Sequence, residues 1–123
     1  MVRADAAPHL VRGAQAEALA AQYLEAHGLV ILARNFRTRR GEIDLVARDG
    51  DTLVFVEVRY RSRSDFGGAA ASVTVRKQQR IVAASLAYLA RLRREPPCRF
   101  DAILLDRLEP GRIVWERDVI ARD

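Results

Sequence analysis

Apolar and polar positions change period several times along this chain, and each change predicts an element. Over residues 9–27 the spacing is helical and rich in Ala, Leu and Gln, with Gly28 as the stop. On a helical wheel Leu10, Gly13, Ala14, Ala20, Ala21 and Leu24 fall within roughly 60° of Glu17. A carboxylate is therefore expected in the stripe that should be buried, where it needs a cation or hydrogen-bond donors. It could equally cap a groove or pair with an arginine. Residues 29–35 (LVILARN) predict a short strand, and 36–40 (FRTRR) a basic connection, more loop than strand.

The stretch 41–61, GEIDLVARDGDTLVFVEVRYR, alternates as two strands around Asp49-Gly50. An Asp-Gly pair between apolar runs is a strong hairpin signal, because glycine tolerates the positive φ of the turn. With that pair as the turn, Arg48 faces Asp51, Asp44 faces Phe55 and Glu42 faces Glu57. Alternation then puts Glu42, Asp44, Phe55, Glu57 and Arg59 on one face, and Ile43, Leu45, Val54, Val56 and Val58 on the other. Carboxylates placed across a strand pair repel, so a cation is expected among them.

Residues 61–71 (RSRSDFGGAAA) form a polar loop, with Gly67-Gly68 marking it as the mobile segment beside the acidic face. A second helix is expected over 74–94, with Thr74 as N-cap, Ile81, Ala84, Ser85, Tyr88 and Leu92 as its buried stripe, and Pro96-Pro97 as its end. Arg76, Lys77 and Arg80 cluster near its start, where the helix dipole does not favour cations; they serve a partner or form a solvated face. Strands over 99–106 and 112–119, joined at Pro110-Gly111, complete the order αβββαββ. Residues 1–8 form a flexible arm and 9–123 a single α/β domain, a mixed sheet flanked by helices.

The chain has 123 residues and a formal net charge of +5, a balance that suits a polyanion such as nucleic acid. Lys77 is its sole lysine, so the other basic side chains are arginines, whose fork grips phosphate in a bidentate manner. The single cysteine, Cys98, excludes an internal disulfide and fits a reducing compartment. With no signal-peptide core at the start and no run of membrane-spanning length, the expectation is a cytoplasmic protein.

Asp44 and Glu57, on neighbouring strands, can hold a hard divalent cation such as Mg²⁺ or Mn²⁺. Such an ion lowers the pKa of a bound water and neutralises charge developing on a phosphate. Arg59, two residues past Glu57, shares its face and can stabilise the transition state. Glu17 could complete the shell, directly or through water. The plainer alternative for Glu57 is a buried ion pair with Arg59 or another arginine.

The block GEIDLVARDGDTLVFVEVRYRSRSDFGGAAASV, with the Lys77 helix and RFDAILL after it, resembles the YraN family of small bacterial proteins, over about residues 13–115. That family is of uncharacterised function and is similar to archaeal Holliday junction resolvases and other restriction-endonuclease-like, PD-(D/E)XK nucleases. The resemblance implies a restriction-endonuclease-like mixed sheet flanked by helices. It assigns Asp44 and Glu57 as metal ligands and Glu17 as the first-helix acid, and Glu42 belongs to the motif by position. The nuclease pattern ends in lysine where this chain has Arg59, which stays protonated and cannot act as a base. Lys77 could supply the amine if the fold brings it near.

The expected function is a Mg²⁺-dependent endonuclease acting on DNA, branched or otherwise structured DNA included. Arg37, Arg39, Arg40, Arg61, Arg63, Arg76, Lys77 and Arg80 are its candidate phosphate contacts, and a homodimer follows from the analogy with resolvases. The competing expectations are a non-catalytic nucleic-acid-binding module on a nuclease-like scaffold, and an interaction protein whose acidic cluster is structural.

Overall fold

The computed structural model describes residues 8–60, 74–106 and 112–120, with side chains from residue 13 onward. Runs rich in Val, Ile, Leu and Phe build its strands, as fits a pleated, buried surface. The elements are α1 (Pro8–Ala26), β1 (Val30–Arg37), β2 (Glu42–Asp49), β3 (Thr52–Tyr60), α2 (Val75–Leu89), β4 (Cys98–Leu105) and β5 (Ile113–Glu116). They form one sheet ordered β1-β2-β3-β4-β5. Only β3 and β4 run parallel; the other neighbours are antiparallel. A parallel pair needs a long crossover, and α2 lies within it. The expected α/β class and the order αβββαββ are thus the observed ones.

Alternation along the strands feeds two apolar layers. Leu45, Ala47, Val54, Val56, Ile103 and Leu105 pack against Ala16, Ala20, Ala21 and Leu24 of α1. On the opposite face Ile43, Val46, Leu53, Phe55 and Phe100 pack against Ile81 and Ala84 of α2. Of the expected α1 stripe, Ala20, Ala21 and Leu24 are buried, Gly13 is half-buried and Ala14 is exposed, with Ala16 buried instead; the Leu10 side chain lies outside the described ones. The helix closes on a Schellman motif, with the N–H groups of Gly28 and Leu29 donating to the carbonyls of Glu25 and Leu24, both at 3.0 Å.

Four expectations are corrected. Phe36 and Arg37 belong to β1 rather than to a loop: Phe36 pairs with Ile43 and meets the Tyr88 ring edge-on at 5.2 Å, so apolar burial outweighs the basic neighbours. The second helix ends at Leu89, five residues short of 94. Past it Arg91 and Leu92 donate to the carbonyls three residues back, a tightening turn, and Leu92 is 39% exposed rather than part of the stripe. The last strand stops at Glu116, because Asp118 turns away at φ 55°.

The fourth correction is the hairpin register. Asp49 pairs with Thr52, so Gly50 and Asp51 are the central residues of the turn. Gly50 has φ 59° and Asp51 is not in the positive region, the pattern of a turn with glycine first. Arg48 therefore pairs with Leu53 and Leu45 with Val56, two residues from the expected register. A slip of two keeps side chains on their faces, whereas a slip of one would not. Ile43 is nevertheless on the α2 face and not with Leu45, so the alternation breaks at Asp44. Opposite that break, Asn35 of β1 has φ 52°.

Asp101 drew no attention in the sequence, yet it is 1% exposed. Its carboxylate accepts from Arg99 Nε at 3.1 Å, Trp115 Nε1 at 2.9 Å and the Asp118 N–H at 2.9 Å, tying β4 to β5 and to the segment after it. Arg99 also reaches Asp49 at 3.1 Å. Removing one partner of such a network strands the rest. Asp101→Ala is expected to cost about 3 kcal/mol, read as a fall in the urea midpoint. An unchanged midpoint would show that the network contributes nothing.

The expected arm at residues 1–7, the 61–71 loop with its glycine pair and the Pro110-Gly111 turn lie outside the described residues; Pro8 already belongs to α1. Among the described residues, no helix is long and apolar enough to cross a membrane.

Candidate functional site

Strands β2 and β3 are paired only as far as Leu45 and Val56. Beyond that point the Val58 N–H donates to Asp44 Oδ2 at 2.8 Å, so a side chain takes the place of a ladder bond. Glu57, one residue earlier and 8% exposed, lies on the α2 side of β3. Its Oε2 accepts from Lys77 Nζ at 3.1 Å and from Arg59 Nη1 at 3.3 Å. A buried carboxylate needs such partners.

Helix α2 delivers Lys77 through its first turn. Thr74 caps the helix, its Oγ1 accepting from the Lys77 N–H at 3.1 Å. The helix approaches β2 so closely at Gly41 that a Cβ there would overlap the backbone carbonyl of Arg80. Arg80 also lies 3.7 Å from Glu42, but both side chains are 46% exposed and such a pair contributes little.

These elements enclose a cleft of about 450 Å³. Glu42, Asp44 and Glu57 line it from the sheet; Thr74, Arg76, Lys77 and Arg80 line it from α2. The cations at the head of α2 therefore have an anionic wall opposite them, which accounts for their unfavourable place on the helix dipole. Burial, and after it the charge of Glu57, pushes the Asp44 carboxyl up to about 8 despite the Val58 hydrogen bond. Glu17 also lies above its ordinary range because of burial, opposed by its hydrogen bond to Asn35 and by Arg37. Glu17 is half-buried and adds to the charge felt at Asp44.

The donor set suits a hard cation held by two carboxylates. Burial, and after it the charge of Glu57, disfavours the ionised form of Asp44, and an added positive charge would relieve that. Mg²⁺ commonly takes one or two protein carboxylates and fills its shell with water and substrate oxygens. Among the described residues, no three carboxylate, imidazole or thiolate groups gather closely enough to hold a metal ion. Glu17 thus stands beside the Asp44–Glu57 pair rather than closing a triad with it.

Of the candidate phosphate contacts, Arg76, Lys77 and Arg80 line the cleft. Arg37, Arg39 and Arg40 are exposed at the end of β1 and in the loop to β2. Arg61 and Arg63 lie outside the described residues. Arg59 is largely buried, and its Nε has no hydrogen-bond partner among the described residues. Sequence reasoning missed Asn35; the available signal was an asparagine inside an apolar strand, a residue that tolerates left-handed backbone.

The sequence model of a family described as an uncharacterised protein family, UPF0102, matches residues 16–105. A UPF0102 protein of Nitrosospira multiformis is 52% identical over 108 residues, covering 88% of this chain and 91% of the relative. One of Cupriavidus pinatubonensis is 57% identical over 105 residues, 85% of this chain and 80% of the relative. One of Dechloromonas aromatica is 58% identical over 95 residues, 77% and 78% respectively.

Proposed function

The chain belongs to the uncharacterised protein family UPF0102, the YraN family, and from the cleft described above we propose that it is a divalent-metal-dependent endonuclease acting on DNA, with branched or otherwise structured DNA as substrate. One observation carries the reading: Asp44 and Glu57, from neighbouring strands, face Arg76, Lys77 and Arg80 across one cleft. Carboxylates without cations would repel a phosphodiester, and cations without carboxylates would bind it with no means of recruiting a metal.

Asp44 and Glu57 would hold Mg²⁺ or Mn²⁺, with Glu17 reaching the shell through water. When bound, the ion acidifies a water and neutralises charge developing on the phosphate. In hydrolysis the water oxygen bonds to phosphorus and the bond to the leaving sugar oxygen breaks. One proton passes from the water to solvent, and one reaches the leaving oxygen. Arg76 and Arg80 hold the backbone on either side, and Arg59 steadies Glu57 through its 3.3 Å contact.

The test is incubation of pure protein with labelled junction, flap and duplex DNA in Mg²⁺ or Mn²⁺. Cleavage that Asp44→Ala removes is the expected result; no cleavage of any of the three counts against the reading. A second reading has its own observation. Glu57 is already paired with Lys77 and Arg59, which suits a scaffold that binds nucleic acid without cutting it. It predicts salt-dependent DNA binding that persists in EDTA, with no cleavage.

A further inference from the structure

We propose a second nucleic-acid contact, on the face of the sheet opposite the cleft: Trp115 and Arg117 bind one unpaired base of single-stranded DNA, the base stacking on the indole and the guanidinium taking the adjoining phosphate. The contact shares with the nuclease reading only its nucleic-acid partner, and it needs neither metal nor cleavage. Trp115 lies on β5, an edge strand, and packs with the α1 layer, whereas the cleft is lined from α2.

The indole is a fixed plane rather than a loose surface ring. Its Nε1 donates to Asp101 Oδ2 at 2.9 Å, and Asp101 is buried on β4. Tyr23, near the end of α1, and His27, just past it, meet the indole edge-on with centroids 6.3 and 5.8 Å away. His27 is itself anchored, its Nδ1 2.8 Å from the Tyr23 carbonyl oxygen. A ring already held in place loses little side-chain entropy when a ligand stacks on it.

What covers the indole is a charge and not an apolar side chain. The guanidinium carbon of Arg117 stands 4.0 Å from the ring centroid, and Arg117 is exposed. The ring quadrupole attracts such a cation, but at an exposed site that contact is weaker than the stacking of a base on an aromatic ring. A base therefore displaces the guanidinium, whose donors remain beside the same spot for a phosphate oxygen. Alternation turns Glu116, the acid between the two, to the other face of β5. Inside a duplex both faces of a base are already stacked, so only a splayed or single-stranded base offers a free one. The formal net charge of +5 adds the general attraction for the backbone.

Trp115 is the sole tryptophan, so its fluorescence reports on this position alone. The full-length chain is titrated in EDTA with an end-labelled oligothymidylate about ten nucleotides long, and with an abasic strand of the same length and charge. Oligothymidylate is expected to quench most of the Trp115 emission, and the abasic strand to bind with little quenching. Arg117→Ala is expected to weaken oligothymidylate binding about tenfold and to reduce the salt slope by about 1, with the depth of quenching at saturation retained. Equal quenching by the abasic strand, or an unchanged salt slope in Arg117→Ala, overturns the proposal. Binding seen in the anisotropy of the label without any change in Trp115 emission also overturns it, and leaves a nucleic-acid-binding cleft standing. Binding of neither strand overturns this contact; the nuclease reading falls with it only if junction, flap and duplex DNA are also left uncut in Mg²⁺ and Mn²⁺.

Discussion

Asp44→Asn is expected to make the metal-free protein more stable at pH 8 while reducing metal-dependent cleavage by about 10³-fold. Burial and the neighbouring charge of Glu57 lift the folded-state pKa of Asp44 from 3.8 to about 8. A raised carboxyl stabilises the fold fully only below its unfolded pKa, and the contribution is lost as pH rises through the folded pKa. Wild-type stability in EDTA should therefore decline between about pH 4 and pH 8, with Glu17 adding to the same trend because its pKa is also raised. Asparagine copies the neutral carboxyl, keeps an oxygen for the Val58 N–H and carries no charge to bring near Glu57. At about 1.4 kcal/mol per pKa unit the full shift would be large; with the cleft open to water, a gain of about 2 kcal/mol at pH 8 is expected, read from urea midpoints at pH 5 and pH 8. Added Mn²⁺ should raise the wild-type midpoint at pH 8 and leave the variant unmoved. A variant no more stable than wild type at pH 8 would mean that Asp44 is not held against its charge.

On the nuclease reading, such a trade gives up stability for a charged cleft that attracts a cation. It also explains which parts of the site were legible in the sequence. Glu57 stood out because a carboxylate inside V-F-V-E-V has no ordinary surface explanation, and period-two alternation fixed its face. The partner across the hairpin was harder. Gly50 can occupy either central position of a two-residue turn, and the two choices differ by two residues in register without changing faces. Face-level expectations therefore survived from Leu45 through Val56, while the face of Ile43 and the pairing of Asp44 with Phe55 did not. The break at Asp44 was not legible, because a positive φ at Asn35 and a side chain replacing a ladder bond are settled between two strands. Asp101 was missed for a related reason: most of its partners, Trp115 and Asp118 among them, are distant in sequence. The cations of α2 were visible as an anomaly of helix electrostatics, but only the packing of the crossover helix shows what they face.

That packing can be tested at one atom. Gly41→Ala is expected to cost about 3 kcal/mol or more, because the added methyl would overlap the Arg80 backbone carbonyl, and a helix backbone cannot rotate away as a side-chain tip can. To make room α2 must lift from β2, carrying Lys77 off Glu57 and opening the cleft. Gly13→Ala is the internal control. It lies inside α1 with nothing within 4 Å of its Cβ position, and alanine there should stabilise by roughly 0.5–1 kcal/mol. The two substitutions add the same methyl and are expected to move the urea midpoint in opposite directions. In protein reductively methylated with ¹³C-formaldehyde, the signal of Lys77, the sole lysine, should shift in the first and stay in place in the second. If Gly41→Ala proves as benign as Gly13→Ala, α2 does not approach β2 as described, and the presentation of Lys77 to Glu57 loses its structural basis.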